Sequence, residues 1–185
     1  MYWDEPGRKN TEKTLKLVKQ KAAEMDIAHV VIASNTGETA RTFYELTDGD
    51  DLNIVCVSHH VGFRDPGGDE MSKRTREEFS RLDVPVLTTT HLLAGVDRGV
   101  RNEYGGLYPP EIIANSLRML SEGVKVSVEI SIMALDAGLI PHESDVIAVG
   151  GSGRGADSAC IIKPAHSSQV FDTDVKEVIC RPRSS

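Results

Sequence analysis

Several short, unbroken apolar runs that stop abruptly at polar or glycine-rich strings most constrain what this chain can fold into. HVVIA (29–33), NIVCV (53–57) and DVIAVG (145–150) are too short for buried helices and rich in β-branched residues. That is the pattern of strands covered on both faces. Between them lie segments with apolar residues at helical spacing: Leu15, Val18, Ala22 and Met25 in residues 11–25, and Ile112, Ile113, Leu117 and Leu120 in 111–120. Asn10 is placed to cap the first of these helices. Strands alternating with helices predict an α/β domain with a largely parallel sheet.

Two stretches are less regular. Residues 123–141 alternate like a strand through Val124, Val126, Val128, Ile130 and Ile132, yet Val128, Ile132, Leu135 and Leu139 share one helical face. Length and the stop signal of Gly138 before Pro141 favour a helix. Residues 95–110 carry four glycines and little periodicity, which predicts a long, lid-like loop. Near the C-terminus, SACIIKPA (158–165) and KEVICRP (176–182) are strand-like with no helix between them, so antiparallel pairing is expected there. The resulting architecture is a three-layer α/β/α sandwich with a mixed, mostly parallel sheet, and residues 1–185 form one domain.

Composition narrows the function classes. With 21 Lys and Arg against 28 Asp and Glu, the formal charge is −7, which disfavours broad attraction to nucleic acid or anionic membrane. Any anion must be held locally. No run reaches the roughly 18 apolar residues needed to span a bilayer. Three cysteines, Cys56, Cys160 and Cys180, lack CxxC spacing, and two lie in apolar runs. They read as buried thiols of a cytoplasmic protein.

Two loops stand out chemically. Ser34-Asn35-Thr36-Gly37-Glu38-Thr39 joins a buried strand to a helix, and its hydroxyls, helix-start amides and flexible glycine suit a phosphate dianion. The competing reading is a plain helix start, with Asn35 and Glu38 as a capping-box variant. The second loop, Gly150-Gly151-Ser152-Gly153-Arg154-Gly155-Ala156, contains a formal G-x-G-x-x-A. A dinucleotide fingerprint must open a helix, whereas a strand follows here. The better reading is a glycine-rich turn whose amides form an anion nest, with Arg154 supplying a charged fork; an ordinary hairpin is the alternative. No P-loop occurs.

In open α/β sheets, ligands sit beyond the C-terminal strand ends. Ser58, His59, His60, Thr88 and His91 lie at such ends and predict a pocket of hydroxyls, imidazoles and amides. The histidines lack metal-ligand spacing, so no metal is expected. No G-x-S-x-G elbow is present. Glu129 and Asp136 read as solvated-face charges, and Tyr104 and Tyr108 in the long loop are placed to close over a planar ligand.

HVVIASNTGETARTFYEL resembles the strand, Thr/Ser-x-x-Gly-x-Thr/Ser loop and helix that begin the effector-phosphate site in the C-terminal domain of pyruvate kinase. GGSGRGADSACIIKPA is similar to the turn and strand that close over the effector there. The resemblance implies a stand-alone pyruvate kinase C-terminal domain-like protein with sheet order 3-2-1-4-5 and an antiparallel fifth strand. It implies phosphate binding at Ser34, Thr36, Gly37, Thr39, Gly153 and Arg154. It does not imply kinase activity, because phosphotransfer in that family belongs to a separate barrel domain. The long segment 90–110 and the histidines His59, His60 and His91 depart from the kinase pattern. Polar strand ends and a Tyr-bearing loop suit a flat phosphorylated ligand, and the stand-alone group points to flavin mononucleotide (FMN) as cofactor.

The leading expectation is therefore a binding domain for a phosphorylated small molecule, a nucleotide or FMN. Its site comprises Ser34, Asn35, Thr36, Gly37, Glu38, Thr39, His59, Thr88, His91, Gly151, Ser152, Gly153 and Arg154. The alternatives are a flavin-dependent or phosphate-ester enzyme using His59 or His91, and a regulatory module acting through self-association as a homo-oligomer.

Overall fold

A computed structural model of the chain describes residues 1–48 and 50–183. Seven strands form one sheet: β1 (Tyr2–Trp3), β2 (His29–Ala33), β3 (Asn53–Ser58), β4 (Val86–Thr88), β5 (Val146–Gly150), β6 (Ser158–Lys163) and β7 (Asp174–Pro182), in the order β1-β7-β6-β5-β2-β3-β4. The helices are α1 (Thr11–Met25), α2 (Glu38–Leu46), α3 (Lys73–Arg81), α4 (Val96–Tyr104), α5 (Pro109–Arg118) and α6 (Glu122–Asp136). The five strands from β4 to β6 reproduce the 3-2-1-4-5 order, with β6 antiparallel to β5. Two further strands extend the sheet beyond β6: β7 runs antiparallel to it, and the short β1 lies parallel to β7.

Alternation along the strands divides the core. Val30, Ile32, Ile54, Cys56, Ile147 and Val149 pack with Leu15 and Val18 of α1, Phe43 of α2 and Phe79 of α3. Their sequence neighbours Val31, Val55, Val57, Val146 and Ala148 pack on the other face with Val124, Val128, Ile132 and Leu135 of α6. The ambiguous segment is thus the helix α6, covered almost throughout because it fills that face. No helix of the described residues is long and apolar enough to cross a membrane.

Segment 95–110 is not an extended loop. Residues 96–104 form α4, which has no buried residue; its apolar residues Val96, Val100 and Tyr104 share one face at i, i+4, i+8 spacing, and the fold does not bury it. Its start is fastened by Asp97 Oδ1 accepting from the Gly95 amide at 2.8 Å, and its end by an Arg101–Glu111 ion pair to α5. Asn10 also departs from expectation. It makes no capping bond, and its Nδ2 instead donates to the Glu5 carbonyl at 2.8 Å.

β2, β3, β4 and β5 run in the same direction, so their C-terminal ends share one edge of the sheet. The chain leaves β2 toward β3 and β4 on one side and returns through β5 on the other. That reversal opens a crevice between the ends of β2 and β5.

Candidate functional site

The crevice holds two adjoining compartments, of about 110 and 230 Å³, which share Ala33, Asn35, His59 and Val126. The first is walled by residues 34–36, Glu38 and Thr39 of the β2–α2 loop, by Gly151, Gly153, Arg154 and Gly155 of the β5–β6 turn, and by His59, Arg64 and Glu70. The fold therefore brings both glycine-bearing loops to one cavity.

Local sequence explains the shape of the first loop. Gly37 has φ +88°, and a Cβ there would lie 2.6 Å from Thr75 Cγ2 and 3.1 Å from Phe79. It is the residue that lets α2 start against α3, and it does not line the cavity, contrary to the expected approach to phosphate. The capping-box expectation fails as well. Ser34 Oγ accepts from the Thr39 and Ala40 amides at 3.1 and 3.4 Å, while Glu38 turns outward to an ion pair with Arg8. Ser34 holds the first turn from behind, and this spares Asn35. Among the described residues, the amides of Asn35, Thr36 and Glu38 donate to no protein acceptor.

The β5–β6 turn is organised by a buried carboxylate. Asp157 Oδ2 accepts from the amides of Ser152 (3.1 Å) and Gly7 (2.8 Å), and Oδ1 accepts from Ser158 Oγ (2.9 Å). Trp3 Nε1 and Thr11 Oγ1 complete the N-terminal buttress, bonding the Asp157 carbonyl and the Ala156 amide. Ser152 thus serves the turn and lines neither compartment. The amides of Gly153, Arg154 and Gly155 have no protein acceptor among the described residues.

The second compartment is lined by His59, Phe63 and His91 on one side and by Val126, Ile130 and Met133 of α6 on the other, with Lys125, Glu129, Arg98, Arg118 and Glu122 also contributing. The His59 and Phe63 rings are 3.8 Å apart between centroids, and His91 lies 5.2 Å from each. His59 is oriented by Glu70, with Nδ1 and Oε2 2.6 Å apart. Burial pushes the His91 imidazole down to about pH 4, against the opposing pull of Glu129, and His59, Lys125 and His60 also disfavour its cation. Its ring is neutral at physiological pH.

Sequence reasoning missed this compartment's charges. Glu129 is not on a solvated face: its residue is 4% exposed, its Oε2 accepts from Lys125 Nζ at 2.6 Å, and its Oε1 accepts from the Leu93 amide at 2.8 Å. The i,i+4 spacing of Lys125 and Glu129 inside an apolar helix was the available signal. Arg98 arrives from α4, whose existence was not foreseen. Asp136 behaves differently, bonding His166 Nδ1 at 2.8 Å near the surface.

Thr88 does not reach the cavities. Its Oγ1 lies 2.6 Å from Ser58 Oγ and accepts from Arg76 at 2.9 Å, tying β4 to β3 and α3. Tyr104 is 81% exposed and Tyr108 donates to the Gly105 carbonyl; neither covers the crevice. All three thiols are buried, which raises Cys56 and Cys160 to about 12 and Cys180 to about 11. Among the described residues, no three His, Cys, Asp or Glu side chains are grouped as a metal site.

Residues 12–162, spanning both loops and α6, match the family model of the pyruvate kinase alpha/beta domain. The chain belongs to that family. Solved structures similar to this pyruvate kinase alpha/beta domain include a pyruvate kinase from Cryptosporidium parvum, 14% identical with a TM-score of 0.42, covering 83% of this chain and 22% of that one. Another is the Cryptosporidium parvum pyruvate kinase in complex with ADP, 15% identical with a TM-score of 0.40, covering 83% and 23%. The chain thus spans less than a quarter of the length of these kinases.

Proposed function

We propose that this pyruvate kinase alpha/beta domain binds a phosphorylated small molecule, a nucleotide or FMN. The phosphate occupies the first compartment and the planar part of the ligand extends into the second. The observation that carries this reading is that the residues bearing two sets of unpartnered backbone amides, Asn35, Thr36 and Glu38 with Gly153 and Arg154, line one small cavity. Amides at a helix start carry partial positive charge and suit an anion without requiring a basic protein. Arg154 and Arg64 add charge, partly offset by Glu38 and Glu70. The aromatic side formed by His59, Phe63 and His91 suits a flat ring.

Catalysis is a second reading, favoured by the His59–Glu70 pair at the junction of the compartments. A carboxylate-oriented imidazole is a general acid or base in form. Phosphotransfer of the pyruvate kinase type is not part of the proposal.

The test is an absorbance scan from the near ultraviolet to the visible, with native mass spectrometry, on protein purified without added ligand. A flavin spectrum with a matching mass increment supports FMN. Colourless protein that also gains no thermal stability from nucleotides, FMN or inorganic phosphate contradicts the proposal. Turnover of a ligand so found, surviving replacement of both His59 and His91, removes those two residues from the mechanism.

A further inference from the structure

The second compartment contains more hydrogen-bonding capacity than the fold uses. Lys125 is 5% exposed and Glu129 4%. Of the three N–H donors on Lys125, one goes to Glu129 Oε2; Glu122 Oε1 is 3.9 Å away, beyond hydrogen-bond reach. The Glu129 carboxylate accepts two bonds, from Lys125 and from the Leu93 amide, and has room for about four. Anchoring the 89–95 connection explains one carboxylate oxygen and leaves the lysine unexplained. A buried ion pair seldom stabilises more than apolar residues of the same volume, so its position on the wall of a cavity calls for an occupant.

That cavity sets the carboxylates of Glu129 and Glu122 among the donors Lys125, Arg98 and Arg118. Among the described residues, Arg98 has no carboxylate within 4.0 Å, and Arg118 is held by Glu122 with Nε and Oε2 2.5 Å apart. Between His59, Phe63 and His91 on one side and Val126 and Ile130 on the other, the space suits a ring entered edge-on toward these charges.

We propose that Glu129 and Lys125 read the polar edge of the ligand's ring, selecting rings with an imide edge, in which a ring N–H is flanked by carbonyls. Uracil and the pyrimidine end of an isoalloxazine carry that pattern. Cytosine presents its donor only at one end, and adenine has no carbonyl. Glu129 accepts from the ring N–H, while Lys125, with Arg98 or Arg118, donates to the carbonyls. No bond is made or broken; this is specificity, and it rests on the phosphate site proposed above.

The experiment compares UMP, 3-methyl-UMP, CMP and inorganic phosphate by calorimetric titration of the whole wild-type chain and of Glu129→Gln. Methylation deletes the ring N–H from the ligand side, so the decisive comparison does not depend on a variant folding. Wild type is expected to bind UMP at least about tenfold tighter than 3-methyl-UMP or CMP, because a site built to accept a ring N–H leaves that acceptor position unfilled, or meets a methyl group there, otherwise. Glu129→Gln should shrink the UMP to 3-methyl-UMP ratio to below about threefold. UMP that binds no tighter than 3-methyl-UMP or inorganic phosphate overturns the ring-edge assignment and leaves the phosphate site standing. Absence of saturable binding by all four, phosphate included, overturns both.

Discussion

The two compartments of the crevice are built from opposite materials. The first presents backbone amides from two loops, with its helix start held from behind by Ser34. The second presents buried side-chain charges carried on α6, balanced chiefly by one another and by a loop amide, with Glu122 3.9 Å from Lys125. An amide site costs the fold little, because helix-start donors are unpaired in any case. A side-chain site couples recognition to stability, since removing either charge strands the other. Substitutions should therefore separate binding from stability in the first compartment and confound them in the second.

The largest effect is expected where that coupling is cut. Glu129→Ala leaves Lys125 buried without its carboxylate and frees the Leu93 amide, and should cost about 3–5 kcal/mol in urea denaturation. The double change Lys125→Met with Glu129→Leu should recover most of that loss. A single variant as stable as wild type would break the contrast between the compartments.

Gly37→Ala comes next. Its φ of +88° and the 2.6 Å approach to Thr75 Cγ2 predict a loss of about 1–3 kcal/mol from backbone strain, with overpacking against α3 adding to it. Ser34→Ala removes the acceptor for two α2 amides and should cost about 1 kcal/mol. Thr36 is exposed, so Thr36→Ala should move stability by less than about 0.5 kcal/mol. If its hydroxyl contacts phosphate, affinity should fall by about 1–3 kcal/mol. Those paired measurements sharpen the claim that the first compartment can be altered without disturbing the fold.

The same contrast was visible in how much could be read from the chain beforehand. Strand and helix positions were legible because Val30 to Ile32 and Ile54 to Val57 are apolar on both faces and because α1 has a clear stripe. The two loops were legible because glycines and hydroxyls at strand ends are local signals. α4 was not: Val96, Val100 and Tyr104 are spaced as on one helix face, but Gly99 interrupts the segment, and an ion pair to Glu111 rather than burial holds it. Glu129 was misread, and its partner Lys125 passed over, because charges on a helix usually face water. The packing of α6 against the sheet and α5, with the 89–95 connection bonded over it through the Leu93 amide, buries them. Gly37 was noticed for a reason other than its actual one: it is a packing residue against Thr75 and Phe79.

A separate expectation concerns pH. His91 titrates near 4 in the folded chain against an ordinary 6.5, so the folded state binds fewer protons than the unfolded state between those values. Its contribution to stability is complete above about pH 6.5 and is lost as pH falls toward 4. His91→Gln should flatten that part of a stability profile measured by urea denaturation across the window. An unchanged profile would show that His91 is not held neutral by the second compartment.

The central claim, a phosphate held by the amides of the two loops, is tested most directly by following backbone amide resonances during titration with inorganic phosphate. Saturable shifts concentrated at Thr36, Glu38, Gly153 and Arg154 are the predicted result. Silence at those amides, or saturable shifts confined to other surfaces, would contradict it.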